Sequence, residues 1–203
     1  MNGASKTRVS SLCSRRAAVR AALLATALTS LGQRGWAHDA YGRVVPAQLT
    51  PRIRVAPLDA PLSDLQTLLR GNVTALQLMF TSCSATCPIQ GAMFAELQKA
   101  LRGTEPHFRL LSVSIDPLGD DAKGLRAWLR SFGAEPTRWT AALSLPPDLD
   151  ALLGFLRGRA AGVDRHTPQV YLFDCQARLS LRTVDLPSAS SVKRMMQELN
   201  SLG

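Results

Sequence analysis

The stretch Val73-Thr74-Ala75-Leu76-Gln77-Leu78-Met79-Phe80-Thr81-Ser82-Cys83-Ser84-Ala85-Thr86-Cys87-Pro88 decides the fold, because an apolar run leads through two cysteines into a helical pattern. Val73 to Phe80 reads as a buried strand. Pro88 to Leu101 reads as a helix, with Ile89, Met93, Phe94, Leu97 and Leu101 near helical spacing. Both thiols therefore fall at a strand-to-helix junction. A helix N-terminus carries partial positive charge and unpaired N–H groups, and both favour thiolate over thiol. Cysteines four apart on a first helical turn would share a face, with Cβ atoms about 5–6 Å apart. A disulfide needs Cα atoms about 4.4–6.8 Å apart, so dithiol, disulfide and metal complex are all open to the pair. A purely structural disulfide is the plain alternative.

Outward from this junction the elements alternate. Phe108 to Ile115 reads as a second strand, stopped by Asp116-Pro117. Asp120 to Phe132 is a helix ended by Gly133, and Trp139 to Leu143 is a brief strand. Asp148 to Arg159 is helical. Val170 to Phe173 and Leu179 to Val184 form a hairpin turning at Asp174-Cys175-Gln176-Ala177, and Ser188 caps a last helix to about Leu202. Leu62 to Leu69 is a short helix or turn, and residues 38–56 read as a linker or loosely docked arm. The order βαβαβαββα predicts an α/β fold, a mixed sheet with helices on both faces.

The 203 residues carry a formal charge of +9. Lys6, Arg8, Arg15, Arg16, Arg20 and Arg34 lie in residues 1–37, which hold no acid; setting those six aside leaves 18 basic against 15 acidic residues. So near-neutral a remainder, without interleaved basic and aromatic residues, argues against nucleic acid as a partner. Residues 1–37 read as an export signal: a basic start, an apolar segment from Ala21 to Leu31, and Gly35-Trp36-Ala37 as a cleavage site. Ser14-Arg15-Arg16-Ala17-Ala18-Val19-Arg20 resembles a twin-arginine signal. An uncleaved membrane anchor is the alternative; in both cases the folded part is expected outside the cytoplasm. Cys13 departs with the signal, leaving Cys83, Cys87 and Cys175. That is one close pair and a third thiol, not a multi-disulfide framework.

A metal site needs a third ligand. The histidines are His38, His107 and His166. His38 would start the mature chain, His107 enters the FRLLSVSI strand, and His166 lies in a loop leading into the Val170 strand, at a sheet end beside other loops. Two thiolates and an imidazole form a soft, low-coordinate set suited to Cu(I). Cu(II) would add water or a carboxylate, with Asp116, Asp120 and Asp164 as possible donors. Structural zinc wants four protein ligands, and no fourth is evident. Pro168, after Thr167 and before a strand, is placed as a cis-proline facing the cysteine helix would be.

These motifs together resemble the Sco/SenC family of the thioredoxin-like superfamily. Phe80 to Pro88 is similar to the family's F-x-T-x-C-P-x-x-C-P element. Ser112-Val113-Ser114-Ile115-Asp116-Pro117 followed by Asp120 is similar to its S-V-D-P-x-x-D segment. Asp164-Arg165-His166-Thr167 followed by Tyr171-Leu172-Phe173-Asp174 is similar to its D-H-[ST]-x-x-x-Y-L-x-D segment. The resemblance covers about Pro57 to Leu202 and implies a thioredoxin-like domain over residues 57–203. It implies copper ligation by Cys83, Cys87 and His166, and a periplasmic metallochaperone that delivers copper to the copper-site (CuA) subunit of cytochrome c oxidase or to another periplasmic copper or thiol protein. Some relatives act as thiol-disulfide reductases, which would make Cys83 the nucleophile and Cys87 the resolving thiol. The chain departs from the pattern at Ser84, where the family has proline, at Arg165, which separates Asp164 from His166, and at the Asp174-Cys175-Gln176-Ala177 turn, where it has Asp-Pro-x-Gly. These departures imply a divergent member.

Overall fold

Strand β4 (Val73–Met79) is the centre of the sheet, and all seven of its residues are buried. Its side chains alternate between two cores: Leu76 and Leu78 join one cluster, Val73 and Ala75 the other. That is the signature of a strand covered on both faces. The computed structural model describes residues 42–160 and 165–202. The expected export segment, His38 and Asp164 lie outside them.

The chain runs β1 (Gly42–Leu49), β2 (Arg54–Pro57), β3 (Ser63–Asp64), α1 (Leu65–Leu69), β4, α2 (Thr86–Ala100), β5 (Phe108–Ser114), α3 (Ala122–Ser131), β6 (Trp139–Ser144), α4 (Leu149–Leu156), β7 (Val170–Phe173), β8 (Arg178–Arg182) and α5 (Ala189–Ser201). One eight-stranded sheet has the order β1-β8-β7-β4-β5-β6-β2-β3. β4, β5 and β6 are parallel, and every other pairing is antiparallel. The parallel strands need crossovers, which α2 and α3 supply. Phe94 and Leu97 of α2 share a core with Val192, Met196 and Leu199 of α5; Leu65 and Leu69 of α1 share the other with Leu152, Leu153 and Leu156 of α4. Each such fully buried leucine contributes about 2 kcal/mol of transfer free energy.

Local chemistry fixes the helix starts. Asp121 accepts the Gly124 N–H at 2.7 Å, and Ser188 accepts the Ser191 N–H at 3.2 Å, so both act as N-caps. Helix α4 ends at Arg157 in the left-handed region, φ 54°. It is shorter than the Asp148–Arg159 expected, because the left-handed Arg157 stops it at Leu156 and Asp148 belongs to a separate 3-10 turn, Pro146–Asp148, before it.

Two expectations are corrected. Residues 38–56 are no linker where they are described: β1 pairs with β8 and β2 with β6, so the arm contributes strands on both sides of the sheet. The alternation of exposed and half-buried residues in β1 marks an edge strand, which composition alone does not separate from a polar linker. Pro168 is not a cis-proline; among the described residues the cis bond is Val45–Pro46.

Candidate functional site

The parallel register of β4 and β5 ends at Met79 and Ser114, and the Ile115 N–H continues it to the Met79 carbonyl at 2.9 Å. Just beyond, the chain turns through Thr81 and Ser82 before entering α2 at Thr86. Asp120, 9% exposed, holds this turn. Its carboxylate accepts the Thr81 N–H at 3.1 Å, the Thr81 hydroxyl, and the Ser114 hydroxyl at 2.6 Å. Those bonds make Asp120 a structural acceptor for the turn, a role beyond that of the possible Cu(II) donor it shared with Asp116 and Asp164 in the sequence. Asp116 is committed likewise to its own turn, accepting the Gly119 N–H at 3.2 Å.

Cys83 does not stand on the first turn of α2. It sits in the turn before the helix, half-buried, with its N–H bonded to the Phe80 carbonyl at 3.2 Å. Its sulfur accepts the Cys87 N–H at 3.4 Å. Ala85, at the N-cap position, offers no side-chain cap, so the Cys83 sulfur takes up a helix-start N–H in its place. Pro88 lacks an N–H and falls in the first turn, where none is needed. Cys87, on that turn, is fully buried.

His166 approaches from the other side of β4. β7 runs antiparallel to β4 with Gln77 opposite Val170, which brings the residues before Val170 to the end of β4 that leads into the cysteine turn. His166 is 1% exposed, and its Nε2 lies 3.6 Å from the Cys87 sulfur. Its Nδ1 lies 3.0 Å from the Thr167 carbonyl. A carbonyl only accepts, so Nδ1 carries the proton and Nε2 turns its lone pair to the sulfur. Thr167 is itself held: its hydroxyl meets the Tyr171 hydroxyl at 2.7 Å and its N–H reaches the Gly158 carbonyl at 2.8 Å. Burial pushes the Tyr171 phenol up to about 12, against a smaller lowering by the Thr167 hydrogen bond and Arg182. An isolated bridge between Arg159 and His166 adds a backbone tie. Phe80 packs its ring edge-on to the His166 ring, centroids 6.1 Å apart at 86°.

The structure thus brings Cys87 and His166 into contact and sets Cys83 on the adjoining turn. Among the described residues, no three His, Cys, Asp or Glu side chains are gathered closely enough to hold a metal ion as they stand. His107 bonds to Asn200 at 2.7 Å, at the start of β5 and therefore at the opposite end of the strand from the cysteine turn. Cys175 lies half-buried in the β7–β8 turn, at the end of β7 away from His166. Sequence reasoning missed the Asp120 bracket and the Thr167–Tyr171 support; their sequence signals were Ser114 six residues before Asp120 and a Thr-x-x-x-Tyr spacing.

The profile of the SCO1/SenC family matches residues 65–201. A curated relative, the SCO1 protein homolog of Bacillus subtilis strain 168, is 31% identical over 71 residues, 35% of this chain and only 37% of the relative. Yeast Sco1 with copper bound is similar in structure, with a TM-score of 0.64 at 14% identity over 76% of this chain and 90% of that one. BsSco, described as a member of the Sco family of cytochrome c oxidase assembly proteins and as carrying a disulfide switch, has a TM-score of 0.63 at 19% identity, covering 78% of this chain and 96% of that one. At those identities the likeness is one of fold, and the fold is the thioredoxin-like one expected.

Proposed function

The chain belongs to the SCO1/SenC family, and from that premise we propose that it is an exported, periplasmic copper-binding protein. It takes copper on Cys83, Cys87 and His166 and delivers it during assembly of the CuA site of cytochrome c oxidase. The observation that carries this reading is the apposition of the His166 Nε2 lone pair and the Cys87 sulfur, 3.6 Å apart and buried, beside a second thiol on a turn. Two soft sulfurs and one imidazole fit Cu(I) in a trigonal arrangement. Cys83, whose sulfur accepts the Cys87 N–H on the adjoining turn, would supply the third ligand. The Thr167 carbonyl fixes the tautomer of His166, the role that outer partners of ligating histidines commonly play. Because thiolates bind and a disulfide does not, loading follows the redox state of the pair. The copper-bound yeast relative supports the cargo, and the description of BsSco supports the client class.

The test is copper stoichiometry and X-ray absorption on the reduced protein. Wild type is expected to take up one copper with sulfur and nitrogen ligation. The Cys83→Ser/Cys87→Ser double variant takes up none. His166→Ala loses the nitrogen contribution and binds at least about tenfold more weakly. Copper affinity unchanged in His166→Ala would sink the three-ligand site.

A second reading is favoured by the unequal burial of the two cysteines, Cys83 half-exposed and Cys87 fully buried. Here the Cys83 thiolate attacks a client disulfide, forming a mixed disulfide and releasing one client thiolate. The Cys87 thiolate then displaces the second, leaving a Cys83–Cys87 disulfide and a client dithiol. A periplasmic dithiol reductant resets the pair. Turnover of a disulfide substrate that survives strict copper removal distinguishes this reaction from copper delivery.

A further inference from the structure

Arg165 interrupts the family's Asp-His pair and has no part in the ligand set. Its backbone is left-handed, φ 56°, an uncommon conformation for a side chain of this size. It is held there by the Ala160 N–H, which reaches the Arg165 carbonyl at 3.2 Å, and by the adjoining Arg159–His166 bridge. Strained residues of this kind gather at functional sites. The exposed Arg165 guanidinium lies over the face of Phe80, 5.3 Å from the ring centroid. The same ring meets His166 edge-on, and the Phe80 carbonyl accepts the Cys83 N–H. A permanent positive charge is therefore tethered to an aromatic residue that touches both halves of the site.

We propose that Arg165 makes this site selective for a monovalent over a divalent cation. The inference rests on the copper reading above and narrows its substrate to Cu(I). Two thiolates, a neutral imidazole and a monovalent ion make a complex with one net negative charge, which a nearby guanidinium stabilises. With a divalent ion the same ligands make a neutral complex, and that stabilisation is lost. The difference is Coulombic, so salt screens it. The stacking on Phe80 keeps the charge near the site instead of letting an exposed side chain wander. The Asp120 carboxylate under Thr81 acts in the opposite sense, but it is present with and without Arg165, so its contribution cancels when the two are compared.

The experiment compares the reduced wild-type chain with Arg165→Gln and Arg165→Lys under anaerobic conditions at one pH. Cu(I) is titrated against bicinchoninate and Zn(II), a redox-inert divalent probe, against a chromophoric chelator. Arg165→Gln is expected to raise the Zn(II)-to-Cu(I) affinity ratio by roughly fivefold at low salt, with the shift shrinking at high salt. Arg165→Lys keeps most of the wild-type ratio. An unchanged ratio in Arg165→Gln, or a parallel change in both affinities, overturns the inference while leaving the copper reading standing. Failure of the wild-type chain to take up Cu(I) overturns the copper reading itself and this inference with it.

Discussion

The two halves of the site are built differently. The cysteine half is local: Cys83 and Cys87 are four residues apart, and the sulfur of one caps the N–H of the other. The histidine half is assembled at a distance. His166 meets a cysteine 79 positions earlier in the chain, and its segment is tied to residues 158–160 and to Tyr171. A local element keeps its geometry whenever its strand and helix form. An assembled one depends on several packing contacts at once, so the histidine half is where the site can be loosened without touching a thiol.

The largest effect should come from Asp120→Asn, which strikes the cysteine half from outside it. The amide can accept at one oxygen only, and its NH2 group faces donors from Thr81 and Ser114. A stability loss of about 3 kcal/mol is expected by urea denaturation, with faster alkylation of Cys83. A loss of nitrogen ligation without any change at Cys83 would contradict the division into halves.

Alkaline pH should strike the other half. Burial between Thr167 and the core pushes the Tyr171 phenol up to about 12, from the ordinary 10 of an exposed tyrosine. Below pH 10 both folded and unfolded chains keep this proton, and the contribution is fully present. As pH rises from 10 towards 12 the unfolded chain ionises first, so stability falls, by at most about 3 kcal/mol. Tyr171→Phe should flatten that part of the stability–pH curve, and an unchanged slope would show that another group is responsible.

Gly158→Ala should do least. The new methyl would stand 2.6 Å from a terminal carbon of Leu78 and 3.1 Å from the Tyr171 hydroxyl. The leucine can rotate, so a cost of about 1 kcal/mol is expected. The displaced hydroxyl should weaken His166 as a ligand while the alkylation rate of Cys83 stays the same. Equal loss at both halves would erase the contrast.

The same contrast governs what the sequence reveals. β4, the cysteine turn and α2 are legible because seven apolar-leaning residues, two thiols and a helical stripe are consecutive. The β7–β8 hairpin and the Ser188 cap are legible for the same local reason. The β1 and β2 strands are not, because their pairing with β8 and β6 is decided by partners more than eighty positions away. Asp120 looks like a free donor in the sequence, and only the approach of Thr81 from another strand end shows that its oxygens are spoken for. Pro168 precedes a strand as an expected cis-proline would, but backbone isomer is a property of the assembled neighbourhood.

Arg182 lies at the end of β8, 4% exposed, and donates from Nε to the Leu156 carbonyl at 3.0 Å and from Nη2 to the Phe155 carbonyl at 3.1 Å. It thereby fastens the hairpin to the end of α4, from which the segment that steadies His166 departs. Burial lowers its affinity for a proton, yet a guanidinium does not become neutral in a protein. A histidine in this place, its proton affinity lowered further by burial, would already lose its charge at or below neutral pH. With arginine as the rivet, the fastening between hairpin and helix keeps its charge, and so its grip on both carbonyls, across the whole range of acidity in which the fold survives.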